Sequence, residues 1–97
     1  MNPKLKVLIV QEDASLLHQT AAVLASGVNG NILTASSVYG GVQLVMRHHP
    51  QLVMVIGELT QIHPQEFVRL VQAIDRYTVV EFLRQDEEQV ARDAAAS

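Results

Sequence analysis

The side chains able to do chemistry are few, and the acidic ones cluster. Gln11, Glu12 and Asp13 follow directly on the apolar run Val7 to Val10, and Glu58 stands two residues beyond the run Leu52 to Ile56. If both runs are parallel strands, Glu12, Asp13 and Glu58 lie just past their carboxyl ends, where α/β sheets place ligands. Three carboxylates converging there could hold Mg²⁺, a hard cation that takes oxygen ligands. The same residues have a plainer use: Glu12 or Asp13 caps the next helix and Glu58 is solvated.

Other chemistries find little support. His18, His48, His49 and His63 include no pair at the i,i+4 spacing of a helical metal site. The chain has no cysteine, which removes disulfides, thiolate zinc sites and thiol nucleophiles. Its serines stand in no Gly-x-Ser-x-Gly elbow, and the turn from Gln11 to Ser15 lacks the glycines of a dinucleotide cradle. The chain therefore reads as a protein that is not an enzyme.

Ninety-seven residues with 48% apolar content suit one domain with one core. With two Phe, two Tyr and no Trp, that core must be aliphatic. A net charge of −3 gives no electrostatic reason to expect nucleic-acid or acidic-membrane binding. Gln11 to Asp13 interrupt the first apolar run far short of a signal-peptide core or membrane span, so a soluble, cytoplasmic protein is expected.

The elements that must position the acidic residues alternate. A first strand runs from Leu5 to Val10, and a helix follows with Leu16, Leu17, Thr20, Ala21 and Leu24 at helical spacing, stopped at Gly27. Val28 to Asn31 is turn chemistry and Ile32 to Ala35 a second strand. Ser36 or Ser37 caps a helix carrying Val38, Val42 and Val45, whose early Gly40 and Gly41 weaken propensity unless a close packing contact requires them. Arg47-His48-His49 suits the negative end of that helix, and Pro50 ends it. The unbroken run Leu52 to Ile56, closed by Gly57, reads as a strand buried on both faces. Pro64 opens a third helix with Phe67, Leu70, Val71 and Ile74 on one face. Tyr77 to Leu83 forms a fourth strand, or continues the preceding helix; Asp86 to Ala96 forms a last helix with Glu88 and Arg92 paired. Strict β-α alternation implies a parallel sheet with helices on both faces.

In this order the chain resembles the receiver domain of two-component response regulators. The resemblance rests on Lys6 to Asp13, on Ala35-Ser36-Ser37 with the helix Val42 to Met46, on Pro50-Gln51-Leu52-Val53, and on Glu66-Phe67-Val68-Arg69. It implies a flavodoxin-like sheet in the order 2-1-3-4, lacking the family's fifth strand and helix, so that residues 1–97 form a single truncated domain. It also implies where acyl-phosphate chemistry would sit, and most of those groups are absent. The phosphoacceptor position falls on Ile56, which has no lone pair. The acidic positions fall on Gln11 and Glu12, with Asp13 after them. The hydroxyl position falls near Leu83, and the lysine has no counterpart.

The expectation is a degenerate, phosphorylation-independent pseudo-receiver that works as a protein–protein interaction module in signal transduction or transcriptional control. The alternative is an atypical Mg²⁺-dependent phosphoacceptor using Glu58 with Glu12 and Asp13. Without a fifth strand the fourth becomes a sheet edge, where Glu81 guards against unwanted pairing. Phe82, Leu83 and Val90 then offer apolar surface for self-association, as in a dimer, or for a protein partner.

Overall fold

Strand β1 (Leu5–Val10) is the centre of the molecule, because its β-branched and leucine side chains are apolar on both faces. The computed structural model describes residues 5–25 and 30–84. After β1 come α1 (Ala14–Ala25), β2 (Gly30–Ala35), α2 (Val38–His48), β3 (Leu52–Ile56), α3 (Pro64–Ile74) and β4 (Val79–Leu83). The four strands are parallel and ordered β2-β1-β3-β4, the arrangement expected from the resemblance.

Strand alternation divides the core into two layers. Leu8, Val10, Ala35, Val53 and Val55 face α2 and α3, where they bury Val38, Val45, Phe67 and Val71. Val7, Ile9 and Ile56 face the other way, onto Leu17 of α1. Phe67 is fully buried, and removing so large a side chain from water stabilises the fold by roughly 1.5–3 kcal/mol. Gly41 has the close contact that its position in a helix demands. A Cβ there would meet Val10 Cγ2 at 3.1 Å.

The element boundaries are chemical. Asp13, rather than Glu12, caps α1: its Oδ1 accepts the backbone N–H groups of Ser15 and Leu16 at 3.0 and 3.1 Å. Ser37, rather than Ser36, caps α2 by accepting the Gly40 N–H. That helix ends at His49, in the left-handed region at φ 46°, with its N–H donated to the Val45 carbonyl.

Two strand limits differ from the expected ones. Strand β2 begins at Gly30, so Gly30 and Asn31 leave the expected turn and pair with Leu5 and Lys6. Strand β4 begins at Val79 because Asp75 captures the preceding residues in a turn. Its Oδ1 accepts the Tyr77 N–H, and its carbonyl accepts the Thr78 N–H. Thr78 is buried and donates its hydroxyl to the Pro50 carbonyl at 2.9 Å, tying the starts of β3 and β4 together. The continuous-helix alternative is thereby excluded. Gly27, the expected last helix from Asp86 to Ala96, its Glu88–Arg92 pair and Val90 lie outside the described residues.

Candidate functional site

The carboxyl ends of β1 and β3 meet as expected, since Val10 pairs with Val55. What stands there is mostly uncharged. Ile56 is 1% exposed and packs with Val7, Ile9 and Leu17. A side chain without a lone pair, enclosed by aliphatic groups, offers nothing to attack phosphorus.

Gln11 turns inward rather than out to a ligand. It is 4% exposed, its Oε1 accepts the Asp13 N–H at 3.1 Å, and its Nε2 is a buried donor without a hydrogen-bond partner. The amide lies against Gly57, which sits at φ +80°, and a Cβ on Gly57 would meet Gln11 Nε2 at 3.2 Å. The chain thus leaves β3 through a left-handed turn that glycine adopts without steric penalty, and Gln11 fills the space over it.

Glu12 is committed elsewhere. Its two carboxylate oxygens accept the Thr60 N–H at 2.9 and 3.1 Å and the Thr60 hydroxyl at 3.3 and 2.8 Å. The Thr60 backbone N–H, then the Thr60 hydroxyl, hold this carboxyl below its ordinary pKa. Burial opposes them, and the Gln61 N–H adds to the lowering. Hydrogen bonds to the charged form favour it.

These placements correct the expected metal set. Glu12 is bonded to Thr60, Asp13 caps α1, and Glu58 is exposed to solvent. Among the described residues no three His, Asp or Glu side chains gather to hold a metal ion. The residues present do not fit Mg²⁺, because the three carboxylates serve three separate purposes. Thr60 is the site residue that sequence reasoning missed. Thr60 lies 48 positions from Glu12, and no local pattern announces the contact.

The fourth strand sends its expected contact residues to both faces of the sheet. Glu81 is exposed on β4, the outermost strand among the described residues. Phe82 and Leu83 stand on opposite faces. Leu83 joins the Ile56 layer on the α1 side. Phe82 pairs with Val55, which belongs to the α3 side, and lines a shallow cleft of about 420 Å³ with Gly57, Glu58, Leu59 and Pro64. A strand must send consecutive side chains to opposite faces. A second, apolar groove of about 490 Å³ runs between α2 and α3, lined by Val38, Tyr39, Val42, Gln61, Ile62 and Leu70. The loop from Glu58 to His63 contributes to both hollows.

The parallel 2-1-3-4 sheet, with α1 on one side and α2 and α3 on the other, has close counterparts among solved structures. A response regulator receiver domain protein from Clostridium thermocellum superimposes with a TM-score of 0.72 at 17% identity, covering 94% of this chain and 93% of the other. The chain has the fold of a response-regulator receiver domain. The chemotaxis protein CheY4 of Vibrio cholerae matches the receiver fold seen here with a TM-score of 0.71 at 17% identity, over 81% of this chain and 67% of its own. The N-terminal domain of an uncharacterized protein from Wolinella succinogenes gives 0.71 at 18% identity over 82% of this chain. This chain spans 64% of the length of that Wolinella domain. No protein-family model matches the sequence, and no curated protein matches it. Among the described residues no helix is long and apolar enough to cross a membrane.

Proposed function

We propose that this receiver fold works without phosphorylation, as a protein–protein interaction module in signal transduction or transcriptional control. Ile56 carries the reading. At the end of β3, where the resemblance to receivers puts the acceptor carboxylate, it is an aliphatic side chain built into the core. Gln11 and Glu12 support it, because one is an inward-facing amide and the other is spent on Thr60. The working parts are then surfaces: the β4 edge with Glu81, Phe82 and Leu83, and the loop from Glu58 to His63.

The test is incubation with Mg²⁺ and a small acyl phosphate, followed by intact mass. The reading expects no phosphoryl adduct. An adduct that maps to Glu58 would overturn it. Partner capture should be unchanged by the phosphodonor and lost in Phe82→Asp.

A further inference from the structure

Helices α2 and α3 pack side by side, and both run from the carboxyl edge of the sheet towards its amino edge. Each buries a narrow stripe, Val38, Gly41 and Val45 on α2 and Phe67 and Val71 on α3. The flanks of those stripes are apolar and stay outside. Tyr39, Met46 and Leu70 are 81%, 58% and 44% exposed. Tyr39 and Leu70 line the groove of about 490 Å³, and Met46, one helical turn beyond Val42, extends its α2 wall. Because α2 rests on β1 and β2, the groove lies over the middle of the sheet, away from β4. Its two ends differ in charge. Glu66 is exposed in the first turn of α3, one turn before Leu70, whereas Arg47 and His48 close α2 at the other end. Neither Glu66 nor Arg47 has an ion-pair partner among the described residues.

We infer that this groove takes a three-turn amphipathic helix of a partner protein, with a lysine or arginine beside Glu66 and an acidic residue beside Arg47. This rests on reading the chain as an interaction module and says what kind of partner it takes. Over its eleven residues α2 rises about 16 Å, so three turns of partner helix span the two charges. Apolar side chains at i, i+4 and i+7 enter the groove in such a mode. Tyr39 offers them a wide apolar ring, in a residue type that often anchors interfaces. The charges also set direction. A helix is more stable with acidic residues in its first turn and basic ones in its last. The partner therefore runs antiparallel to α2 and α3, with its basic carboxyl end at Glu66.

A second copy fits worse. The two-fold that seats α2 of each copy in the other's groove keeps the helices running the same way. Glu66 then meets the acidic end of the other copy rather than Arg47, and like charges across an interface disfavour the pairing.

The experiment selects three-turn helical peptides from a randomised alanine-based display library and titrates the synthetic products into the ¹⁵N-labelled chain. The selected peptides should carry apolar residues at i, i+4 and i+7 and a basic residue at the carboxyl end. They should shift the Tyr39, Val42, Ile62 and Leu70 amides saturably. A spin label on the basic end should broaden Ile62 and Glu66 rather than Met46 and Arg47. Tyr39→Ala should weaken binding by about tenfold or more and leave the unfolding curve unchanged, since its ring is mostly in solvent. Glu66→Lys should weaken it by up to roughly fivefold, the range of an exposed charge pair. Selection without enrichment, shifts confined to another surface, binding indifferent to Tyr39→Ala or to Glu66→Lys, or broadening at the Arg47 end would each overturn the inference. So would groove amides that shift with protein concentration alone. The phosphodonor experiment is independent of it. A module that recruits its partner only through β4 passes that test and fails this one.

Discussion

Thr60 gives both its backbone N–H and its hydroxyl to the carboxylate of Glu12, so one side chain at the end of β1 fastens the loop that follows β3. The loop so held is the one that lines both surface hollows, through Glu58 and Leu59 on one side and Gln61 and Ile62 on the other. Gln61 adds a second tie by accepting the Val38 N–H at the start of α2. A carboxylate and an amide therefore set the shape of the loop that lines both hollows.

The Glu12–Thr60 tie makes stability depend on pH in the acid range. The folded carboxyl has a lowered pKa, so its contribution is present in full above the unfolded value of 4.5 and is lost as pH falls through the folded value. Glu12→Gln should lower stability at pH 7 by less than about 1 kcal/mol, since the contact is solvent-screened. The gap between the two proteins should close on acidification. Urea midpoints measured from pH 7 to pH 2.5 check this; a gap that stays constant throughout contradicts it.

Ile56 separates a core role from a vacated-site role. If the position were an open site, Ile56→Asp should be mild. The packing around it predicts the opposite, because an unpaired carboxylate among Val7, Ile9 and Leu17 costs on the order of 3–5 kcal/mol. Ile56→Val should cost only about 0.5–1.5 kcal/mol. Chemical denaturation of both variants decides between the two.

The fold was legible because its signals are local. The apolar run Leu52 to Ile56, the Pro64 start of α3 and the Phe67–Val71 stripe each need only a short window of sequence. The site was legible in part, since counting from Pro50 places Ile56 at the end of β3. What the site contains was not legible. The Glu12–Thr60 bonds and the inward turn of Gln11 join distant parts of the chain, and the sequence shows three acidic residues without showing that each is already engaged or solvated. Phe82 and Leu83 are a different case. Their opposite orientation follows from strand geometry alone.

Gly41 tests whether α2 sits on β1 as closely as its backbone implies. Replacing a mid-helix glycine by alanine ordinarily stabilises by up to about 1 kcal/mol. Here the new Cβ would press on Val10 Cγ2 at 3.1 Å, and Val10 is fully buried. Overpacking of this kind costs roughly 1–3 kcal/mol, so Gly41→Ala should be net destabilising. A raised thermal midpoint would show that the contact relaxes freely.

The two faces of β4 should separate stability from recognition. Leu83 is half-buried in the Ile56 layer, whereas Phe82 is 41% exposed and borders the cleft. Leu83→Ala removes apolar contact from the core and should cost roughly 1–2 kcal/mol, below the 2–5 kcal/mol of a fully buried leucine. Phe82→Ala should cost less, because much of the ring is already in water, yet it removes apolar area that a partner would cover. Unfolding curves and partner binding measured on both variants give the comparison. Phe82→Ala should lower affinity more than stability, and Leu83→Ala the reverse. Equal losses of stability would mean that the Phe82 ring belongs to the core of the free protein. Equal losses of binding without a stability difference would place the contact evenly across both faces of the edge.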